Sequence, residues 1–516
     1  MRRVILLTAM LSLALGLASS RGHAANVLFS MEIGYNGAPP NALSSGAGVL
    51  SFADDDALAV HELARTIARR SVVLAIPDRA TQALYPSSRE ARPPSVAELR
   101  RALAELHADI ERATGAGDEV AVWFFYSGHG WLDDDGRANL TLADGALSQD
   151  MLYDEVLPAL SGRTVHLMID ACHAESLIRP RDVTAETVEV SASEVASASL
   201  RGRLSHLPNV GVVMASASNT QAHEWDDYQT GVFTHELLSG LRGGADVNGD
   251  GRVEYSEIAA FLAAANRGVT DPRARLTTLV VAPKLYPRAA IVDVHGARDV
   301  AHLQGRAHHL GRFQLDDGRG NRLLDLRAES GFFVDVVVTA SEPILLSNDD
   351  GEVRFLASAD RPTNLEDLSL GTRRLRPRGA VGEAMRRGLF AAEFGPSYYE
   401  GFVDNADQQM VPMDLFTVRA RVPTGPVPRT GHSPAAWSAF AIGAASVAAS
   451  GVFAVLAARA YGDFQDTNLE RGSIAAHDRY QRYGIAALSS AALGAVSVGF
   501  GYWLSNRTNA GGSSRP

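Results

Sequence analysis

The sequence predicts an α/β fold: a mostly parallel sheet sandwiched by helices, followed by a smaller β-rich domain and two transmembrane helices. Three observations predict it. Residues 26–283 alternate short apolar runs with amphipathic segments of helical spacing, the pattern of strand and crossover helix. Residues 289–420 lose helical spacing and break into short apolar runs between Asp-Gly and Asn-Asp-Asp turns. Beyond these, two charge-free stretches of at least about 22 residues are long enough to cross a bilayer as helices.

Each element has a local reason. Arg2 and Arg3 precede the apolar run Val4–Leu17, and Gly22, His23 and Ala24 offer a cleavage site, so residues 1–24 read as a secretory signal peptide. Val27–Ile33, Ser71–Ile76, Val120–Tyr126, Thr164–Ile169 and Val210–Ala215 read as strands. Leu58, Val60, Leu63 and Ile67 place a helix over Asp55–Arg70. Ser95 with Glu98 forms a capping-box pattern that opens a helix to about Ala113. A further helix is expected near Ser148–Leu160. In the β-rich region Phe332–Val338 and Pro343–Leu346 are the clearest strands, with one helical stretch near Val381–Phe390.

Pro423, Pro426, Pro428 and Pro434 stiffen a linker over 421–434. The apolar stretches Ala435–Ala458 and Tyr483–Leu504 follow, rich in Ala, Gly and Ser, which permits close helix contact. Arg459, Arg471, Arg479 and Arg482 lie between them, as a cytoplasmic loop requires, so 435–505 reads as a membrane hairpin holding an exported, envelope-anchored domain. The alternative is a pair of buried soluble helices.

A net charge of −11 over 516 residues argues against a nucleic-acid partner. Lys284 is the single lysine among the basic residues. Cys172 is the single cysteine, so no internal disulfide can form, and an exposed thiol is an oxidation liability in an exported chain. It follows the strand Thr164–Ile169 directly, as His129 follows Val120–Tyr126. Sites in open α/β sheets form beyond the carboxyl ends of strands, so the two residues can meet if those strands are neighbours. A thiol and an imidazole there suit acyl transfer: nucleophile and general acid/base, with the N–H groups of Gly130 and Cys172 as oxyanion donors. An inert buried cysteine and a plain Ser-Gly-His-Gly turn are the alternatives.

Tyr126-Ser127-Gly128-His129-Gly130, followed by Asp170-Ala171-Cys172-His173, resembles the caspase-like cysteine peptidases of the caspase–metacaspase group. The resemblance spans roughly Val27–Val280 and includes Ala53–Ala57, Ser216–Ser218 and Gly231–Thr234. It implies a caspase-type sheet, Cys172 as nucleophile and His129 as general acid/base. Asp170 stands where metacaspases carry an aspartate, and Asp56 matches another pocket position, with Ser127 beside them. Two carboxylates in one pocket repel unless a cation separates them, which points to Arg or Lys at P1. Asp54–Asp56 also suit a helix N-terminus. Ala174 and Glu175 depart from the Ser-Gly usual after this cysteine, and His173 reads as structural. Arg179–Leu204 resembles the linker that family members cut during maturation; an uncut solvated loop is the alternative.

Residues 246–257 match the twelve-residue EF-hand loop: Asp246, Asn248, Asp250, Glu254 and Glu257 at the oxygen positions, Gly251 at the sharp turn, Arg252 through its backbone carbonyl. Phe233–Leu241 and Tyr255–Ala265 flank it as helices. A structural or activating calcium ion is therefore expected, and no organic cofactor. An unoccupied acidic turn is the alternative. These readings combine into a membrane-tethered cysteine endopeptidase acting on peptide or protein substrates. Its rivals are a catalytically silent caspase-fold module that recruits partners, and a peptidase with Asn or Asp specificity. Nothing in the sequence fixes an oligomeric state.

Overall fold

The computed structural model describes residues 26–40, 48–172, 174–178, 203–216, 224–225, 229–269, 276–372 and 388–410. The chain divides into two units, 1–415 and 416–516, and all described residues belong to the first. The signal peptide, His173, nearly all of the Arg179–Leu204 segment, the proline linker and both apolar C-terminal stretches lie outside the described residues. Within them no helix is long and apolar enough to cross a membrane.

The elements run β1 (Asn26–Tyr35), α1 (Ala53–Ile67), β2 (Arg70–Ala75), α2 (Arg79–Leu84), α3 (Val96–Gly115) and β3 (Glu119–Gly128). A three-stranded flap follows, β4 (Gly130–Leu132), β5 (Ala138–Leu142) and β6 (Gly145–Ser148), then β7 (Thr164–Asp170) and β8 (Val210–Ser216). The short β9 (Glu224–Trp225) and β10 (Thr230–Gly231) lead into α4 (Val232–Ser239), β11 (Arg252–Glu254), α5 (Tyr255–Asn266) and β12 (Thr277–Val281). Six strands form one sheet in the order β12-β8-β7-β3-β1-β2. All pairs are parallel except β12 against β8.

Alternation along the strands builds two cores, because successive side chains face opposite sides. Phe29, Met31, Val122, Phe124, Leu167 and Val212 face α3, whose Leu99, Leu103, Leu106 and Ile110 form the matching stripe. Trp123, Phe125, Met168 and Val213 face α1, α4 and α5. The Ser95 hydroxyl accepts from the Glu98 N–H at 3.1 Å, as the capping pattern requires.

The β-rich strands β13 (Ala290–Asp293), β14 (Val300–Arg306), β15 (Arg312–Asp317), β16 (Arg322–Arg327), β17 (Phe333–Thr339), β18 (Pro343–Asn348) and β19 (Gly351–Leu356) form small antiparallel sheets. Their apolar faces continue the α1/α4/α5 core without a break: Phe313, Leu324, Leu326 and Val336 share one cluster with Phe233, Leu237 and Phe261. A buried polar tie crosses the same seam. Asp325 meets His235 of α4 at 3.1 Å and the guanidinium groups of Arg312 and Arg322 at 3.0 and 3.1 Å, which hold its carboxyl well below the usual range despite burial. The Trp123 indole donates to the Ile291 carbonyl at 2.8 Å. A final helix, α6 (Pro396–Met410), packs on α5. Of the helix expected at Val381–Phe390 only the last three residues are described.

Candidate active site at the ends of β3 and β7

β3 and β7 are neighbours, with Ser127 opposite Asp170 in parallel register. His129 and Cys172 each lie two residues past that pair, so they leave the sheet side by side, both 9 % exposed. The two turns touch. A Cβ added to Gly130 would lie 1.9 Å from the Cys172 carbonyl oxygen, so only glycine fits there. Gly130→Ala is expected to force the His129 turn away from the Cys172 turn. Overpacking of this kind costs about 1–3 kcal/mol, and misplacing reacting groups by about an ångström costs on the order of 100-fold in rate. Measuring kcat/KM and Tm on one preparation checks it: a fully active alanine variant would mean the two turns need not touch.

His129 Nε2 lies 2.8 Å from the Gly48 carbonyl. A carbonyl only accepts, so Nε2 carries the proton and Nδ1 keeps its lone pair. Burial pulls the imidazole below its usual range, partly countered by Gly48, so it is neutral at pH 7. Gly48 escaped the sequence reading because its contribution is a main-chain oxygen, which has no side-chain signature.

Next to this pair lies a narrow pocket of about 10 Å³, roughly one water, lined by Leu50, Ala53, Asp56, Ser127, Gly128, Asp170, Glu224 and Gly231. The carboxyl ends of β3 and β7 supply Ser127 and Asp170, the first turn of α1 supplies Asp56, and β9 and β10 supply Glu224 and Gly231. Asp56 accepts from Ser127 Oγ at 2.7 Å, from the Gly231 N–H at 2.8 Å and from the Thr230 hydroxyl. Asp170 accepts from Thr234 Oγ1 at 2.8 Å. Burial and then the charge of Asp170 push Asp56 up to about 8. Burial, with a smaller contribution from Glu224, pushes Asp170 up to about 6. Asp54 and Asp55 turn the other way: both accept from Thr81 Oγ1 of α2, at 3.0 and 3.1 Å. Of the three acids opening α1, Asp56 alone lines the pocket.

Glu224 is the acid that sequence reasoning missed. Its carboxylate accepts the N–H groups of Ser51 at 2.8 Å and Phe52 at 2.7 Å, tying β9 to the start of α1. It stands in a polar stretch without periodicity, and only folding brings it to the pocket.

The 246–257 loop lies apart from this pocket. Asp246 accepts from the N–H groups of Gly249 and Gly251, both at 2.8 Å, Asn248 from Asp250 at 2.8 Å, and Asp250 from Arg252 at 2.9 Å. Glu257 accepts from Glu254 at 2.8 Å and Val247 at 3.2 Å. Gly251 takes a φ of +70°, which glycine adopts without strain. Val253 at the eighth position pairs with Val292 of β13, so a strand from the β-rich region occupies the side where a second loop would pair. The donor set is oxygen only, which suits a hard cation. As the loop stands, its carboxylates are turned onto its own amides. Among the described residues no three His, Cys, Asp or Glu side chains converge as a metal centre.

Residues 50–284 match the family model described as the caspase domain, somewhat less than half of the chain. That part of the chain is thus similar to the caspase domain. A solved structure from Geobacter sulfurreducens is 17 % identical, aligned over 52 % of this chain and 99 % of its own, with a TM-score of 0.32. No curated protein matches the sequence.

Proposed function

We propose that the protein is a cysteine endopeptidase that cleaves after arginine or lysine. The observation that carries this reading is the pocket in which Asp56, Asp170 and Glu224 stand together beside the strand ends bearing His129 and Cys172. Three acids lining one pocket are stabilised by a cation, and a P1 guanidinium at its mouth supplies one. Nδ1 of His129, left basic by the Gly48 contact, takes the thiol proton. The thiolate of Cys172 adds to the scissile carbonyl, the imidazolium returns the proton to the leaving amine, and water hydrolyses the thioester. The N–H groups of Gly130 and Cys172 are the proposed oxyanion donors.

The test is a matched peptide series with Arg, Lys, Asn or Asp at P1. Cleavage after Arg and Lys alone is the expected result. Turnover of the Asn or Asp peptides in preference would reassign the specificity, and no turnover of any would make the domain an interaction module.

We also propose that the 246–257 loop binds one calcium ion through Asp246, Asn248, Asp250, the Arg252 carbonyl, Glu254 and Glu257. Calcium at 100 times its Kd is expected to stabilise the fold by about 2.7 kcal/mol. Tm therefore rises with calcium, returns on chelation, and stops responding in Glu257→Gln. A Tm indifferent to calcium in the unmodified chain would remove the site. The ectodomain is proposed to sit outside the cytoplasm, held by the 435–505 hairpin, which protease accessibility in intact cells checks.

A further inference from the structure

The seam between the helical face of the peptidase sheet and the β-rich strands holds an open-sided cavity of about 230 Å³. Arg242, in the helical turn that continues α4, lines it and is 6 % exposed. Its Nε atom is fully buried without a hydrogen-bond partner, and among the described residues its guanidinium has no carboxylate or carbonyl acceptor. Burial pulls Arg242 below its usual range, with Asp317 and Glu62 opposing this only at a distance. The hydroxyl of Tyr85, 7 % exposed on the same wall, also lacks a partner among the described residues.

The other charges of the wall already have partners. Glu342 and Asp317 hold Arg319, at 2.7 and 3.5 Å; Asp317 also accepts from Asn321 Nδ2 at 2.9 Å. Arg65 pairs with Glu62 at 3.5 Å, and Arg322 pairs with Asp325 at 3.1 Å. What remains is one buried guanidinium and one phenol, both donors, facing a space of several waters' volume. An unpaired buried charge costs several kcal/mol, and a guanidinium with a free face suits a planar or tetrahedral oxyanion.

We propose that this cavity is a binding site for a small oxyanion, a carboxylate or a phosphate-type group, held by Arg242 and the Tyr85 hydroxyl. The cavity lies at the seam, because Arg319 and Asn321 of the β15–β16 turn line it together with Arg242 and Tyr85. The site is independent of the catalytic reading and is tested without turnover.

The full-length chain, in non-ionic detergent, is titrated with sodium sulfate and separately with sodium succinate, at ionic strength held constant with chloride, while Tm and heat of binding are followed. A saturable rise in Tm with either probe is expected. Response to sulfate alone points to a phosphate-type ligand, to succinate alone a carboxylate, and to both the shared chemistry. Tyr85→Phe should weaken the response by about tenfold, one hydrogen bond to a charged group. Arg242→Met should abolish it, with Tm in chloride unchanged or raised because a buried unpaired charge is gone. The proposal is overturned by no saturable response to either probe, since unsaturating sulfate effects are general exclusion from the surface. It is equally overturned by an undiminished response in Arg242→Met or, where that variant does not fold, by unchanged affinity in Tyr85→Phe.

Discussion

Cys172→Ala is expected to lower kcat/KM on a P1-arginine peptide by at least about 10⁴-fold, the scale of loss when a catalytic nucleophile is removed. The chemistry requires it, because the chain holds no second thiol and Ser127, two residues before His129, spends its hydroxyl on Asp56. The fold should not notice. One sulfur leaves a site still 9 % exposed, which keeps the change in stability within about 1 kcal/mol. His129→Ala is expected to cost nearly as much, and the double variant little more than either single one, since nucleophile and base act as a unit. A loss of less than tenfold in Cys172→Ala, with Tm unchanged, would place the nucleophile elsewhere. The same variants decide whether the domain is silent, because a silent module has no rate to lose.

The sheet was legible because its central strands are buried on both faces. Val120–Tyr126 and Thr164–Ile169 are apolar runs too short for helices and bounded by polar turns, and a buried parallel strand leaves that trace. β12 was not read as an edge strand. Its five residues pair antiparallel with β8 from across more than sixty positions, a contact no local pattern records. The β-rich region read as a separate module, yet its core is continuous with that of α4 and α5. A signal for this was present: Tyr255–Asn266 is apolar nearly all round, and such a helix is buried on more than one side. The placement of His129, Cys172, Asp56, Ser127 and Asp170 at one end of the sheet was legible because strand ends and helix starts are fixed points of the fold. Gly48, Glu224, Thr230 and Thr234 each contribute an oxygen whose position depends on tertiary folding, and a single oxygen has no sequence pattern.

The acidic pocket gives the second large effect, and its pH dependence distinguishes specificity from chemistry. Asp56 and Asp170 are both raised, by burial before anything else, so in the free enzyme the pair retains one proton up through neutral pH. On the proposed specificity, a P1 guanidinium would bind the ionised pair and expel that proton. A group raised in the free enzyme loses its proton as pH climbs through its raised value, so KM for arginine peptides should fall between about pH 6 and 8. His129 is shifted in the opposite direction, below the usual imidazole range, so kcat should rise at lower pH than KM falls. Asp56→Asn keeps the shape and can still accept from Gly231 and Thr230, but it removes one charge. Truncating one side of a buried charge pair costs about 2–5 kcal/mol, or about 30-fold to several thousandfold in kcat/KM on arginine peptides. The same change relieves Asp170 of its neighbour, so the variant should be at least as stable as the parent, with the slope of KM against pH flattened. Steady-state kinetics from pH 5.5 to 9 on both proteins, with calorimetric proton release on binding a P1-arginine inhibitor, reads all of these at once. Arginine cleavage untouched in Asp56→Asn, or a KM that does not move with pH in the parent, would remove the pocket from P1 recognition while leaving the Cys172 assignment standing.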